Sequence, residues 1–296
     1  MKYNLYLAFT PLHLKIINSI PKKNHSILIA LSKRNLRKYI NSYIDKKEFC
    51  RIYDYQALFF NPLELIKISF KYKKIHQLYV GNFKFFNFRL IQLLIRYEGL
   101  ITFDDGIGAL TESYFNLNDS TIKERLYKFL KIDIKSIMKN HVFHYSIYNT
   151  QGTVFDGKIV SLKLKDIKRR FSYDGNVLLT TDKSEVGTMT INDERNLIER
   201  IITTLDIDYI IHHPSKKFNL NVLERKIINE PFLSDDIVSN SSFHHVYSLS
   251  ASSILGINKL ESFPEKNTTY LANRDAPVSK LLQTKTKINF IAFEDL

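Results

Sequence analysis

The chain is 296 residues long, 44% hydrophobic and 25% charged, with nine Gly, seven Pro, one Cys and no Trp. This excludes disordered, collagen-like and disulfide-stapled proteins, because the apolar side chains suffice for a sizeable core and Cys50 has no intrachain partner. The net charge of +13 is lodged in the first third, where residues 1–100 hold 18 Lys and Arg against 5 Asp and Glu while the rest holds 25 of each, a polarity that suits a polyanion or an anionic membrane surface.

From the N terminus, short apolar runs ending at turn residues alternate with stretches of helical period. Strands are predicted at 3–9, 26–31, 77–80 and 100–103. Helices, with apolar residues three and four apart, are predicted at 12–20, 35–43, 62–72 and 86–97. The apolar segment 5–9 is too short for the core of a signal peptide, and Pro11 follows it. Asn149, Thr150, Gln151 and Gly152 then interrupt the pattern with turn chemistry, ahead of a basic patch at 163–170. A second series has strands at 176–180, 209–212 and 245–249 and helices at 192–205, 221–228 and 252–256. Its longest uncharged stretch, 237–258, is crowded with Ser, Asn and His, which a bilayer core accepts only at a cost. The expectation is a soluble chain without an export signal, in a reducing compartment. The tail, 274–296, is open to packing back on the first domain or to a contact between two copies.

Alternating β and α elements predict an α/β protein of two Rossmann-type domains, 1–155 and 156–296, with mainly parallel sheets facing a central cleft. Ligands of such sheets sit beyond the carboxyl ends of the strands, so polar residues just past predicted strands are the candidates. Three places stand out. After 100–103 come Asp104, Asp105, Gly106 and Gly108. Adjacent like charges raise the pKa of at least one acid, which suits a general base, although Asp-Gly is also a common turn. The dinucleotide fingerprint is absent, since a third glycine is missing. The strand 209–212 ends in His212, with His213 and Pro214 next; the proline holds His213 extended, placed to donate a proton to a leaving phosphate. Neighbouring residues of a strand point to opposite faces, which argues against both imidazoles ligating one metal ion. After 245–249 come Ser250, Ser252 and Ser253, whose hydroxyls and nearby helix N–H groups could receive a phosphate or simply cap the helix.

These motifs, in this order, resemble the bacterial sialyltransferases, most closely glycosyltransferase family 52. Asp104-Asp105-Gly106 is similar to the family's pair of acids before a glycine, His213-Pro214 to its His-Pro, and Ser252-Ser253 to its paired serines. Phe9-Thr10-Pro11-Leu12-His13 resembles its opening Thr-Pro-Leu-Gln, with His13 where the family has Gln. The resemblance implies a GT-B-like fold and inverting transfer from CMP-sialic acid to a terminal sugar hydroxyl, such as that of galactose, on a surface glycan such as lipooligosaccharide or capsule. It makes Asp104 the general base, with Asp105 as the alternative, His213 the general acid, and Gly106 the glycine of the base loop. Ser252 and Ser253 would bind the CMP phosphate, with Pro214, Ser250, Thr180 and Thr10 completing the donor site. A nucleoside monophosphate leaves with less charge than a diphosphate, so no metal or other cofactor is expected.

The expected partners are the CMP-sugar, a glycan or glycolipid acceptor and the anionic inner face of the cytoplasmic membrane, met through the basic first third; a homodimer is allowed. Two other readings stay open: a relative using another CMP-linked acid or a UDP-hexose, and a basic protein that binds nucleic acid or anionic lipid. No zinc finger, heptad-linked basic region or RNP-type aromatic run supports nucleic acid.

Overall fold

The computed structural model describes residues 2–22, 25–32, 36–56, 62–72, 74–81, 86–105, 122–147, 158–180, 189–212, 227–249, 267–272 and 288–296. The chain divides into two compact units, Met1–Asp166 and Ile167–Leu296.

The first unit opens with β1 (Tyr3–Ala8), whose residues from Asn4 onward are all buried, as a central parallel strand covered on both faces requires. Thr10 caps α1 (Pro11–Ser19), its Oγ1 accepting from His13 N–H at 3.3 Å. Pro11 fills the first helical position, where no backbone N–H is needed. The alternation continues through β2 (His25–Ser32), α2 (Arg37–Tyr43), β3 (Arg51–Gln56), α3 (Pro62–Lys71), β4 (Ile75–Val80), α4 (Phe86–Leu94) and β5 (Tyr97–Phe103). The unit is completed by α5 (Ile122–Phe129), α6 (Ile134–Met138), β6 (His141–Ser146) and β7 (Ile159–Ser161). The seven strands run parallel in the order β3-β2-β1-β4-β5-β6-β7. Leu5, Leu7, Ile27, Leu78 and Leu100 of the sheet bury one face against Ile68 of α3 and Phe88 and Ile91 of α4. The order reverses direction between β1 and β4, which opens a crevice at the carboxyl ends of those strands.

The second unit comprises β8 (Asp174–Leu179), α7 (Ile191–Thr204), β9 (Tyr209–Ile211), α8 (Ser234–Ser239), β10 (Ser242–Leu249), β11 (Thr268–Ala272) and β12 (Asn289–Ala292). Its five strands are also parallel, in the order β12-β11-β10-β8-β9. Thr190 begins α7 by accepting from Asp193 N–H at 3.1 Å, and acidic Asp193 and Glu194 occupy the turn where the helix dipole favours them.

The division falls after Asp166 instead of between 155 and 156, because β7 hydrogen-bonds to β6 and so belongs to the first sheet. The described part of the tail extends the second sheet: β12 pairs with β11, and Phe293 joins the core containing Ile198 and Ile201. The helix predicted at 221–228 lies largely, and that at 252–256 entirely, outside the described residues. No helix among the described residues is long and apolar enough to cross a membrane.

Candidate active site

The crevice between β1 and β4 is floored by a histidine. His13, on the first turn of α1, has a fully buried side chain, and its Nδ1 accepts from Phe9 N–H at 3.2 Å. That acceptor role places the ring hydrogen on Nε2, which donates to Asp105 Oδ1 at 2.5 Å. Asp105 follows β5, and its side chain is 13% exposed. One ring edge of His13 meets Phe103, with centroids 5.2 Å apart and planes at 88°.

Room for this ring comes from Gly81, the residue after β4. A Cβ there would stand 2.6 Å from His13 Nε2 and 2.7 Å from Phe103 Cε2, closer than side-chain carbons come to one another. The turns after β1, β4 and β5 thus meet at one point, and the sequence signal for it was a lone glycine ending a predicted strand.

The two adjacent acids part company because side chains of an extended chain alternate. Phe103 and Asp105 face His13, whereas Thr102 and Asp104 face β6. Asp104 is 1% exposed. Its Oδ1 accepts from His144 Nε2 at 2.9 Å, and its Oδ2 accepts from Ser146 Oγ at 3.0 Å and Ile147 N–H at 2.7 Å. The Thr102 hydroxyl continues the network, 2.8 Å from His144 Nδ1 and 3.0 Å from His141 Nε2. Asp104, expected as the general base, is enclosed and accepts from three donors, an arrangement that ties the end of β5 to β6. Asp105, the alternative, stands at the crevice. The roles of His13, Gly81, His144 and Ser146 were not read from the sequence, where two histidines three residues apart in a short polar strand gave no hint of a carboxylate partner.

Burial, with the nearby charges of His144 and Lys158 adding to it, pushes the His141 imidazole down from 6.5 to about 4. The unfolded chain takes up this proton near 6.5, so between those values it binds more protons than the folded one. The stabilisation is complete above 6.5 and drains away as pH falls toward 4. Thermal melting followed from pH 7 to pH 4.5 is expected to show a falling midpoint that flattens in His141→Gln; an unchanged slope in that variant would assign the acid sensitivity elsewhere.

In the second unit, Thr180 follows β8 and is 2% exposed, with its hydroxyl 3.0 Å from Nδ1 of His212. It therefore anchors the His212 imidazole. Thr10 uses its hydroxyl as the α1 cap described above. His213, Pro214, Ser250, Ser252, Ser253 and Gly106 lie outside the described residues. Asp206, Ile207 and Asp208 form an Asp-x-Asp triplet at the amino edge of the second sheet, where Asp208 Oδ2 accepts from Asn176 N–H at 2.8 Å. That is the edge opposite to where substrates of such sheets bind.

Three comparisons bear on this geometry. The chain is 26% identical over 213 residues to a CMP-N-acetylneuraminate:beta-galactoside alpha-2,3-sialyltransferase of Pasteurella multocida (strain Pm70), a match covering 65% of this chain and 64% of that relative. The chain thus spans somewhat under two thirds of the relative's length. Its fold is similar to that of a protein assigned as a UDP-N-acetylglucosamine 2-epimerase from Listeria monocytogenes, with a TM-score of 0.54 at 9% identity, over 99% of this chain and 84% of that one. This likeness shows the fold class, α/β with Rossmann-like units of the GT-B type. The model of glycosyltransferase family 52 matches residues 22–272, from the turn after α1 through β11 and across both units. With most of its length matched, the chain belongs to glycosyltransferase family 52.

Proposed function

We propose that the protein is an inverting sialyltransferase that moves sialic acid from CMP-sialic acid to a galactose hydroxyl of a bacterial surface glycan such as lipooligosaccharide, without a metal. The observation that carries this reading is Asp105: a carboxylate at the carboxyl edge of the first sheet, beside the strand-order switch, held by a buried imidazole. Family membership and the activity named for the Pasteurella relative support the donor.

In the proposed reaction Asp105 accepts the proton of the acceptor hydroxyl as its oxygen forms a bond to the anomeric carbon. The bond from that carbon to the phosphate oxygen breaks with its electron pair, and CMP leaves. His213 donates a proton to the departing phosphate, with Thr180 fixing the neighbouring His212. Ser252 and Ser253, joined by Ser250, Pro214 and Thr10, bind the donor. Inversion needs base and acid on opposite faces of the sugar, and hydroxyls, helix N–H groups and an imidazolium supply what a monophosphate leaving group demands. A glycolipid acceptor would place the enzyme at the cytoplasmic face of the inner membrane.

Donor screening tests the reading. The purified protein is expected to transfer from CMP-sialic acid to a soluble β-galactoside in the presence of a chelator and to be inert toward UDP-hexoses. Turnover of a UDP-hexose with none of CMP-sialic acid would overturn the choice of donor.

A further inference from the structure

Large apolar side chains exposed on a monomer call for a partner when they gather in one place. Among the described residues eight are exposed, and five of these sit on or at the ends of three neighbouring helices: Phe70 on α3, Leu93 on α4, and Leu126, Phe129 and Leu130 at α5. Helices α3 and α4 cover the same face of the first sheet through Ile68, Phe88 and Ile91. Helix α5 is tied to α4 by Arg89, whose guanidinium lies 5.2 Å over the Tyr127 ring and whose Nη1 donates to the Ile132 carbonyl. Tyr127 thereby fixes the inner side of α5. Leu126, Phe129 and Leu130, at spacings of three and four, form one outer ridge, on which Phe129 is 83% exposed.

Cations crowd the helices that carry these residues. Exposed Lys67, Lys71, Arg96, Arg125, Lys128, Lys131, Lys135 and Lys139 lie on or beside the same helices. Counted from the sequence, residues 62–74, 86–96 and 122–139 together hold twelve Lys and Arg against Glu64, Glu124 and Asp133. The last of these is buried and spent on the cap of α6, accepting from Ser136 N–H at 3.2 Å.

We infer that this face docks on an anionic lipid bilayer, with Leu126, Phe129 and Leu130 entering the headgroup boundary and the surrounding Lys and Arg holding anionic headgroups. Charge complementarity selects the occupant. A second copy of the chain meeting this face symmetrically would set like charges against like. A nucleic acid would answer the charge and leave Leu126 and Leu130 wet. An apolar ridge with exposed Arg125, Lys128 and Lys131 on or beside the same helix is the composition of an interfacial helix. The inference deepens the reading above, since a glycolipid acceptor would lie in the surface so engaged, and it moves the membrane contact from the basic first hundred residues as a whole to α3, α4 and α5.

Flotation of the full chain with vesicles tests it. The protein is expected to rise with phosphatidylcholine vesicles containing phosphatidylglycerol and not with phosphatidylcholine alone. The double variant Leu126→Ser, Phe129→Ser is expected to lower the bound fraction at least about tenfold, given the apolar area removed. Lys128→Gln and Lys131→Gln are each expected to lower it about fivefold. All three variants should keep wild-type transfer to a soluble β-galactoside. Binding that survives loss of the ridge would overturn the inference, as would a wild-type dimer that the double variant splits while neither form binds vesicles. Vesicle binding with no transfer from CMP-sialic acid would instead sink the enzymatic reading and leave the docking face standing.

Discussion

Asp105→Asn is expected to lower the rate of sialyl transfer by about 10²- to 10⁴-fold, the share general-base catalysis supplies, while its melting temperature stays close to that of the wild type. The amide oxygen of Asn can still accept from His13 Nε2, so the bond across the crevice persists and only proton acceptance is lost. The geometry also separates positioning from basicity. Gly81→Ala leaves Asp105 in place but puts a methyl group where the His13 ring and Phe103 now sit. The buried ring meets that methyl group at Nε2, the very atom that donates to Asp105. This variant should lose turnover by a factor of about ten, as expected for a misplaced reacting group, with less change in KM for CMP-sialic acid. Transfer at the wild-type rate in Asp105→Asn would remove Asp105 from the reaction.

Asp104→Ala is expected to fail in a different way, through stability. Its removal strands the donors of His144, Ser146 and Ile147 in a buried site, at a cost of roughly 3–5 kcal/mol. Thermal or denaturant unfolding should register that loss, and protein that remains folded at low temperature should still transfer. Asp104→Asn should cost less, since one oxygen remains to accept. A variant Asp104→Ala that melts like the wild type yet transfers nothing would return the base to Asp104. Neighbouring carboxylates of the same motif are thus distinguished by two measurements that move in opposite ways.

Much of the fold could be read from the chain. The strands β1, β2, β4 and β5, and the carboxyl-terminal halves of β8 and β10, carry enough buried apolar residues to stand out, and the helices between them carry their apolar residues on one face, because burial on both sides of a parallel sheet imposes those patterns directly. Strands β3, β6, β7, β11 and β12 escaped notice. They are short or polar, with sequences such as His141–Ser146, and they exist because a neighbour far along the chain offers an edge to pair with. The same reason moves the boundary between the units past β7. Short α5 was also missed, since among its described side chains Leu126 and Phe129 face solvent and Tyr127 alone is buried.

For the site, the sequence by itself determined which residue types stand beyond which strands: two acids after β5, His-Pro after β9, and a helix carrying His13 after β1. It could not say which of the two acids is enclosed. That choice is made by alternation at the end of β5, which turns Asp104 into a pocket built by β6 and Asp105 toward a histidine some ninety positions earlier. Gly81 matters only because α1 brings the His13 ring against it. Local pattern records burial and turn chemistry, which act within a few residues, whereas hydrogen-bond partnership and the closeness of one backbone to another's side chain are fixed by strand order, and only the tertiary structure supplies that.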